Sequence, residues 1–322
     1  MKTLLLILLL VPMISFGQNN YSMSFDGVDD YIEITNDFNS TNNYGVTFQF
    51  WAKSLWNQIP TSTGGNGSQE MIINFGDNVG FTGSYRYYIL RSGANLEAHC
   101  EGPGFSSSGS VSVPVSDLNI SDNEWINISV IYNINGIIEL YINGVIVATG
   151  NFTSLNNIIG LTDGIKRIGD NLGFGYHYTG KIDRLTYWNK PLTQQEIQQY
   201  MNCPPTGTEL GLVGYWNFEE GSGATAYDLT SNGNNGTING ATYSTDVPVQ
   251  SCTLTNTAGC DSVAVLNLTI ESPTSSTIVI DGLDSYTAPS GTVYTTGGVY
   301  TDTILNAAGC DSIITIDLSL NY

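Results

Sequence analysis

From Tyr21 to about Val247 the chain is written in short runs of alternating or continuous apolar residues, separated by clusters of Gly, Asn and Asp. This is the period-2 pattern of strands packed on one face, and it predicts a sandwich or barrel built from many short strands. The runs are Tyr31–Ile34, Val46–Trp51, Met71–Phe75, Tyr85–Leu90, Trp125–Tyr132, Ile137–Ile142, Val145–Thr149 and Ile182–Trp188. Between Ile142 and Val145 stand Asn143 and Gly144, two residues that tolerate positive φ, so those runs form a hairpin closed by a type I′ turn. Helical periodicity is confined to one segment. Thr193 opens it as an N-cap with Glu196 placed to bond back, which predicts a short helix to about Met201, stopped by Cys203-Pro204-Pro205.

Composition agrees with a β protein: 36 Gly, 19 Tyr and 11 Phe in 322 residues suit tight turns and an aromatic core. The chain opens on Met-Lys-Thr, a run of fewer than a dozen apolar residues, and Ser15-Phe16-Gly17. That is the form of a secretory leader spanning 1–17, too short to act as a bilayer-spanning anchor, and it places the protein outside the cell or on its surface. A net charge of −20, from 29 acids against nine bases, argues against nucleic acid and against insertion into an anionic membrane surface. It permits a cation as ligand, although acidity also serves solubility alone.

From Cys252 onward the texture changes. Ala258-Gly259-Cys260-Asp261-Ser262-Val263 is echoed by Ala308-Gly309-Cys310-Asp311-Ser312-Ile313, each followed by an alternating strand (Leu266, Leu268, Ile270; Ile316, Leu318, Leu320). The tail therefore consists of small repeated β modules. The expected domains are a sandwich over 18–248, with a return segment at 209–248, and short cysteine-bearing repeats over 249–322.

Three linked motifs, in order, carry a family resemblance. They are Ser24-Phe25-Asp26-Gly27-Val28-Asp29-Asp30-Tyr31-Ile32, then Trp125–Val130 with Leu140-Tyr141-Ile142-Asn143-Gly144, then Gly180–Asn189 with Leu192–Ile197. The large domain resembles the bacterial laminin-G-like members of the concanavalin A-like lectin/glucanase superfamily. The resemblance implies a jelly-roll sandwich of two antiparallel sheets, usually non-catalytic. In many relatives a Tyr-Trp-x-Phe-(Asp/Glu)-Glu-Gly-Ser-Gly segment precedes the Phe-Asp-Gly strand, whereas here Tyr215–Gly223 follows the helix. Too little chain remains for a second sandwich, so this segment is expected to complete the first. The tail resembles Gly-Cys-Asp-Ser repeats of secreted proteins from Bacteroidetes-type bacteria.

These readings give three kinds of candidate site. The Asp26–Asp30 turn offers carboxylates for a structural Ca²⁺, a cation that takes six to eight oxygens, and the resemblance brings Asp183 beside it; the expected ligands are Asp26, Asp29 and Asp183. The competing reading is that these acids only bond nearby turn amides. A glycan or extracellular polymer is the expected partner, stacked on Trp56, Tyr87, Tyr176 and Tyr178, with Tyr85 and Tyr88 in the same class; ordinary core packing competes for each of them. Cys203 and Cys252 flank the return segment, and a disulfide there would contribute about 4 kcal/mol in the chain-entropy model. Cys260 is an alternative partner for Cys252, and Cys100 reads as a free thiol. Glucanases of the superfamily carry a Glu-x-Asp-x-(x)-Glu strand, and no such run is present, so hydrolysis has little support. The expected role is a secreted recognition module, with a structural or adhesin spacer, or a polysaccharide-active enzyme, as alternatives.

Overall fold

The structure, a computed structural model, describes residues 20–36, 38, 45–60, 68–76, 86–102, 108–152, 164–171, 175–249, 254–255, 261–262, 274–305 and 311–321. The expected leader, Tyr85, Cys252, Cys260 and Cys310 fall outside them, and with them the expected disulfides. Two compact units divide the chain, 1–253 and 254–322.

The first unit is nearly all strand: β1 (Ser22–Asp26), β2 (Tyr31–Ile34), β3 (Gly45–Lys53), β4 (Gln69–Phe75), β5 (Arg86–Ser92), β6 (Asn95–Glu101), β7 (Ser108–Pro114), β8 (Trp125–Asn133), β9 (Ile137–Ile142), β10 (Val145–Phe152), β11 (Lys166–Ile168), β12 (Thr179–Trp188), β13 (Leu212–Trp216), β14 (Thr225–Ala226), β15 (Gly236–Asn239) and β16 (Thr242–Ser244). Every pairing among them is antiparallel, and one path runs β14-β15-β2-β11-β4-β5-β6-β7-β10-β9-β8-β3-β12-β1-β16, with β13 on β12. This is the expected jelly-roll sandwich. The path folds back on itself, because aromatic rings from its two halves meet: Phe48 of β3 lies 5.3 Å from Phe75 of β4, and Tyr132 of β8 lies 4.7 Å from Tyr87 of β5. The inward residues of both layers form one core that includes Phe50, Ile128, Leu140 and Trp216.

Local chemistry explains the elements. In the β9–β10 hairpin Asn143 has φ 49° and Gly144 φ 74°, the two positive values a type I′ turn requires. The helix α1 (Gln194–Asn202) has the full capping box, Thr193 accepting from the Glu196 amide and Glu196 accepting from the Thr193 amide at 2.8 Å. It covers Trp188, Leu192 and Ile197, a second apolar cluster on the outer side of the β12–β13 layer. The return segment completes the same sandwich: Trp216 pairs with Leu185, Thr242 with Ser24 and Ile238 with Ile32.

In the second unit β17 (Leu254–Thr255) pairs with β18 (Asp261–Ser262), and β20 (Tyr286–Thr287) with β21 (Val293–Tyr294). The main sheet has β23 (Asp311–Asn321) between β19 (Thr274–Leu283), parallel to it, and β22 (Gly298–Leu305), antiparallel. Ile314, Ile316 and Leu318 alternate into its small core, as their spacing predicts. The strand of the first repeat copy, 266–270, lies outside the described residues.

Candidate functional site

The strand β6 carries Glu97, His99 and Glu101 at every second position, so all three stand on the solvent side of the sheet while Leu96, Ala98 and Cys100 fill the core. Register then brings neighbours beside them: His99 faces Tyr88 on β5 and Ser110 on β7, Glu101 faces Arg86, and Glu97 faces Leu90. One cross-strand row of this face runs Glu33, Arg167, Asn74, Tyr88, His99, Ser110, Asn151.

The side chains lock together. The Tyr88 and His99 rings stack at 4.6 Å with 5° between planes, and the Arg86 guanidinium sits 4.3 Å from the Tyr88 centroid. Arg86 donates to Asn74 Oδ1 at 2.9 Å, Glu101 Oε2 at 3.2 Å and Asn171 Oδ1 at 2.8 Å. The Tyr88 hydroxyl donates to Glu101 at 2.8 Å, and burial followed by the Glu101 charge raises the phenol's pKa well above its usual range. Glu97 Oε2 lies 2.9 Å from His99 Nε2.

Tyr176 lies beside β4, where the Met71 amide donates to the Tyr176 carbonyl at 2.9 Å. Between Tyr176 and β5–β6 an open pocket of about 160 Å³ forms, lined by Tyr176, Asn171, Gln69, Glu97, His99 and Arg86 with Tyr88, Met71 and Leu90. It is smaller than the roughly 300–1,000 Å³ of sites that enclose a whole small molecule. Aromatic and apolar surface lies beside a carboxylate, two amides and an imidazole, which is what a pyranose requires: CH faces to pack and hydroxyls to hydrogen-bond.

Of the four aromatics expected to bind a ligand, Tyr176 lines this pocket and three do not. Trp56, Tyr87 and Tyr178 are 1 %, 0 % and 0 % exposed, so their ring faces belong to the core. The Trp56 indole donates to the Glu124 carbonyl, and the Tyr178 hydroxyl to the Lys53 carbonyl. Sequence reading passed over Glu97, His99, Glu101 and Arg86; the alternation of acids and His along Asn95–Glu101 was the available signal. Glu97-x-His99-x-Glu101 also has the spacing of the glucanase strand, with an imidazole where that strand has Asp. Its two carboxylates engage different partners, Glu97 with His99 and Glu101 with Tyr88 and Arg86.

The acidic turn changes membership. One carboxylate oxygen from each of Asp26, Asp29 and Asp30 lies within 4.8 Å of the others. Asp183 is not among them: β1 pairs Asp26 with Thr179, so Asp183 is four residues, roughly 13 Å, further along β12. There it is fully buried beside Arg184, 3.6 Å from its Nε. Within the turn Asp26 Oδ1 accepts from the Val28 amide and Asp30 Oδ2 from the Asp26 amide, both at 2.8 Å. Burial, then the charges of Asp26 and Asp29, raise the pKa of Asp30 against the Asp26 amide bond that lowers it. Three close carboxylates form a hard, all-oxygen donor set that suits Ca²⁺.

Cys100 is the buried free thiol expected, its pKa pushed up by burial and by Glu101, so it is chemically quiet. Cys203 caps α1, its amide donating to the Gln199 carbonyl.

With the geometry described, comparison with known proteins places the fold. A laminin G family model matches residues 26–198, more than half of the chain. The chain belongs to the concanavalin A-like lectin/glucanases superfamily. Among solved structures, a Bacteroides ovatus protein provisionally described as carbohydrate binding aligns with a TM-score of 0.53 at 19% identity, over 72% of this chain and 62% of its own. The heptameric SAP-like pentraxin of Limulus polyphemus aligns at 0.47 and 14%, over 73% of this chain and 98% of its own. The ligand binding domain of botulinum neurotoxin serotype D, in complex with N-acetylneuraminic acid, aligns at 0.42 and 19%, over 56% and 41%. Comparison with curated proteins gives no match.

Proposed function

We propose that the sandwich is a non-catalytic glycan-binding module, secreted or displayed on the cell surface, whose ligand occupies the pocket between Tyr176 and β6. Superfamily membership supports carbohydrate binding in general. The observation that carries the specific reading is the pocket's lining, in which aromatic Tyr176 joins Glu97, His99, Gln69 and Asn171. Sugars pack CH faces on such rings while carboxylates and amides take their hydroxyls, a charge-assisted bond being about twice as strong as a neutral one. The absence of a Glu-x-Asp-x-(x)-Glu run, and the separate partners of Glu97 and Glu101, support binding without hydrolysis.

A glycan array followed by titration calorimetry tests the reading. Retention of one sugar class is expected, weakened about tenfold or more by Tyr176→Ala and by Glu97→Gln with melting unchanged. Blank arrays would leave a spacer as the better account, and release of reducing ends from a retained polysaccharide would make the module an enzyme.

Asp26, Asp29 and Asp30 would hold a structural Ca²⁺ with carbonyls of the same turn, and the ion would neutralise their mutual repulsion. At a hundredfold excess over its Kd, Ca²⁺ should stabilise by about 2.7 kcal/mol, and Asp29→Asn should abolish the gain. Identical melting with Ca²⁺ and with EDTA would leave the acids as turn residues.

A further inference from the structure

Resting on the glycan-binding reading, the charge pairing of the whole molecule narrows the ligand's class. The chain has nine Lys and Arg residues, of which Lys2 lies in the leader. Each of the other eight is paired with a carboxylate or closed inside the unit. Lys53 and Lys181 both bond Asp246, at 2.8 and 2.5 Å. Arg91 is closed in with Glu70, and Arg184 with Asp183, each guanidinium no more than 5 % exposed. Lys166 is buried and donates to the Asn36 carbonyl. Lys190 bonds Glu196.

On the face that carries the pocket the same holds. Arg86 gives one hydrogen bond from each nitrogen, to Asn74, Glu101 and Asn171. Arg167 bonds Glu33 through Nε and Nη2 and Asp170 through Nη1. Four carboxylates, Glu33, Glu97, Glu101 and Asp170, thus surround two guanidinium groups that are already neutralised. The imidazoles do not restore the balance, because His99 lies against Glu97 and His177 against Asp170.

A carboxylated or sulfated sugar entering here would meet one guanidinium, Arg86, already paired with Glu101, and would lie beside the Glu97 carboxylate. Recognition of an anionic glycan relies on Arg or Lys presented to it. We therefore infer that the pocket selects a neutral glycan and rejects acidic ones, such as uronates and sulfated or sialylated chains. The Glu97 carboxylate and the amides of Gln69 and Asn171 remain as the groups that take sugar hydroxyls, and a chain of net charge −20 adds a long-range repulsion of acidic ligands.

The test uses the full secreted chain and polysaccharides matched in linkage: a neutral glucan and its 6-carboxyl derivative, and chitin with its deacetylated form. Affinity electrophoresis or calorimetry at low and at high salt should show the neutral polymer bound and its carboxylated derivative weaker by at least about tenfold. That deficit should shrink as salt screens it, which a purely steric rejection would not do. Glu97→Gln should also narrow the ratio between the two. Equal or tighter binding of the carboxylated polymer, or a marked preference for the deacetylated, cationic one, would overturn the inference while leaving glycan binding intact. Failure of every polymer to bind would remove both.

Discussion

Removing the carboxylate of Glu70 should cost the first unit about 3–5 kcal/mol, the scale for orphaning one partner of a buried ion pair. Glu70 is 4 % and Arg91 2 % exposed at the side chain, with Arg91 Nη1 3.1 Å from Glu70 Oε2. The guanidinium also donates to Ser54 Oγ and to the carbonyls of Trp56 and Gln58. In Glu70→Ala these neutral acceptors remain while the charge stays buried without its counter-ion. Glu70 itself is held with difficulty, since burial raises its pKa while Arg91 and Thr179 pull it down, so the pair as a whole adds little net stability. The double variant Glu70→Ala with Arg91→Leu should therefore be more stable than Glu70→Ala alone. For a unit of this size each kcal/mol moves the melting temperature by about 2–4 °C, which gives a fall of roughly 6–20 °C for the single variant. Calorimetry and urea unfolding of wild type, both single variants and the double variant close the cycle. A loss under about 1 kcal/mol in Glu70→Ala, with no recovery in the double variant, would refute the idea that Arg91 depends on Glu70 for its charge.

Asp246 makes stability depend on acid. Partial burial raises its pKa, but bonds from Lys181, Lys53 and Trp125 outweigh that and lower it from 3.8 to about 2. A depressed folded-state value stabilises above the unfolded pKa and is lost as pH falls through the folded one, here between about pH 4 and 2. Because Asp246 is 36 % exposed, screening limits the effect to at most about 1 kcal/mol, which Asp246→Asn should forfeit at pH 7 in urea unfolding. Gly144→Ala should cost about 1–2 kcal/mol, since φ is 74° there and a Cβ would come within 2.7 Å of Gln198; unchanged stability would argue against the turn type. Thr193→Ala should cost about 1 kcal/mol by removing the cap of α1, read from the same unfolding curves.

Alternation of side chains determined much of this protein in advance. Runs such as Ile137–Ile142 become strands because their apolar residues share one face, and Asn143-Gly144 closes its hairpin because both residues accept positive φ. Thr193 and Glu196 start the helix by satisfying its first amides, a wholly local event. Parity along a strand, however, says only that neighbours point opposite ways. Which of two adjacent tyrosines enters the core was settled when the layers packed, and Tyr87 went inward against Phe48 and Tyr132 while Tyr88 went outward against His99. The pocket depends on β5 and β6 lying in register and on the segment near Tyr176 crossing beside β4, contacts between residues remote in sequence. The acidic turn obeys the same rule: pairing of Asp26 with Thr179 carried Asp183 roughly 13 Å away and left Asp30 to complete the cluster. Local propensity is a property of neighbours in the chain; a site is a property of neighbours in space, and only cross-strand register makes those.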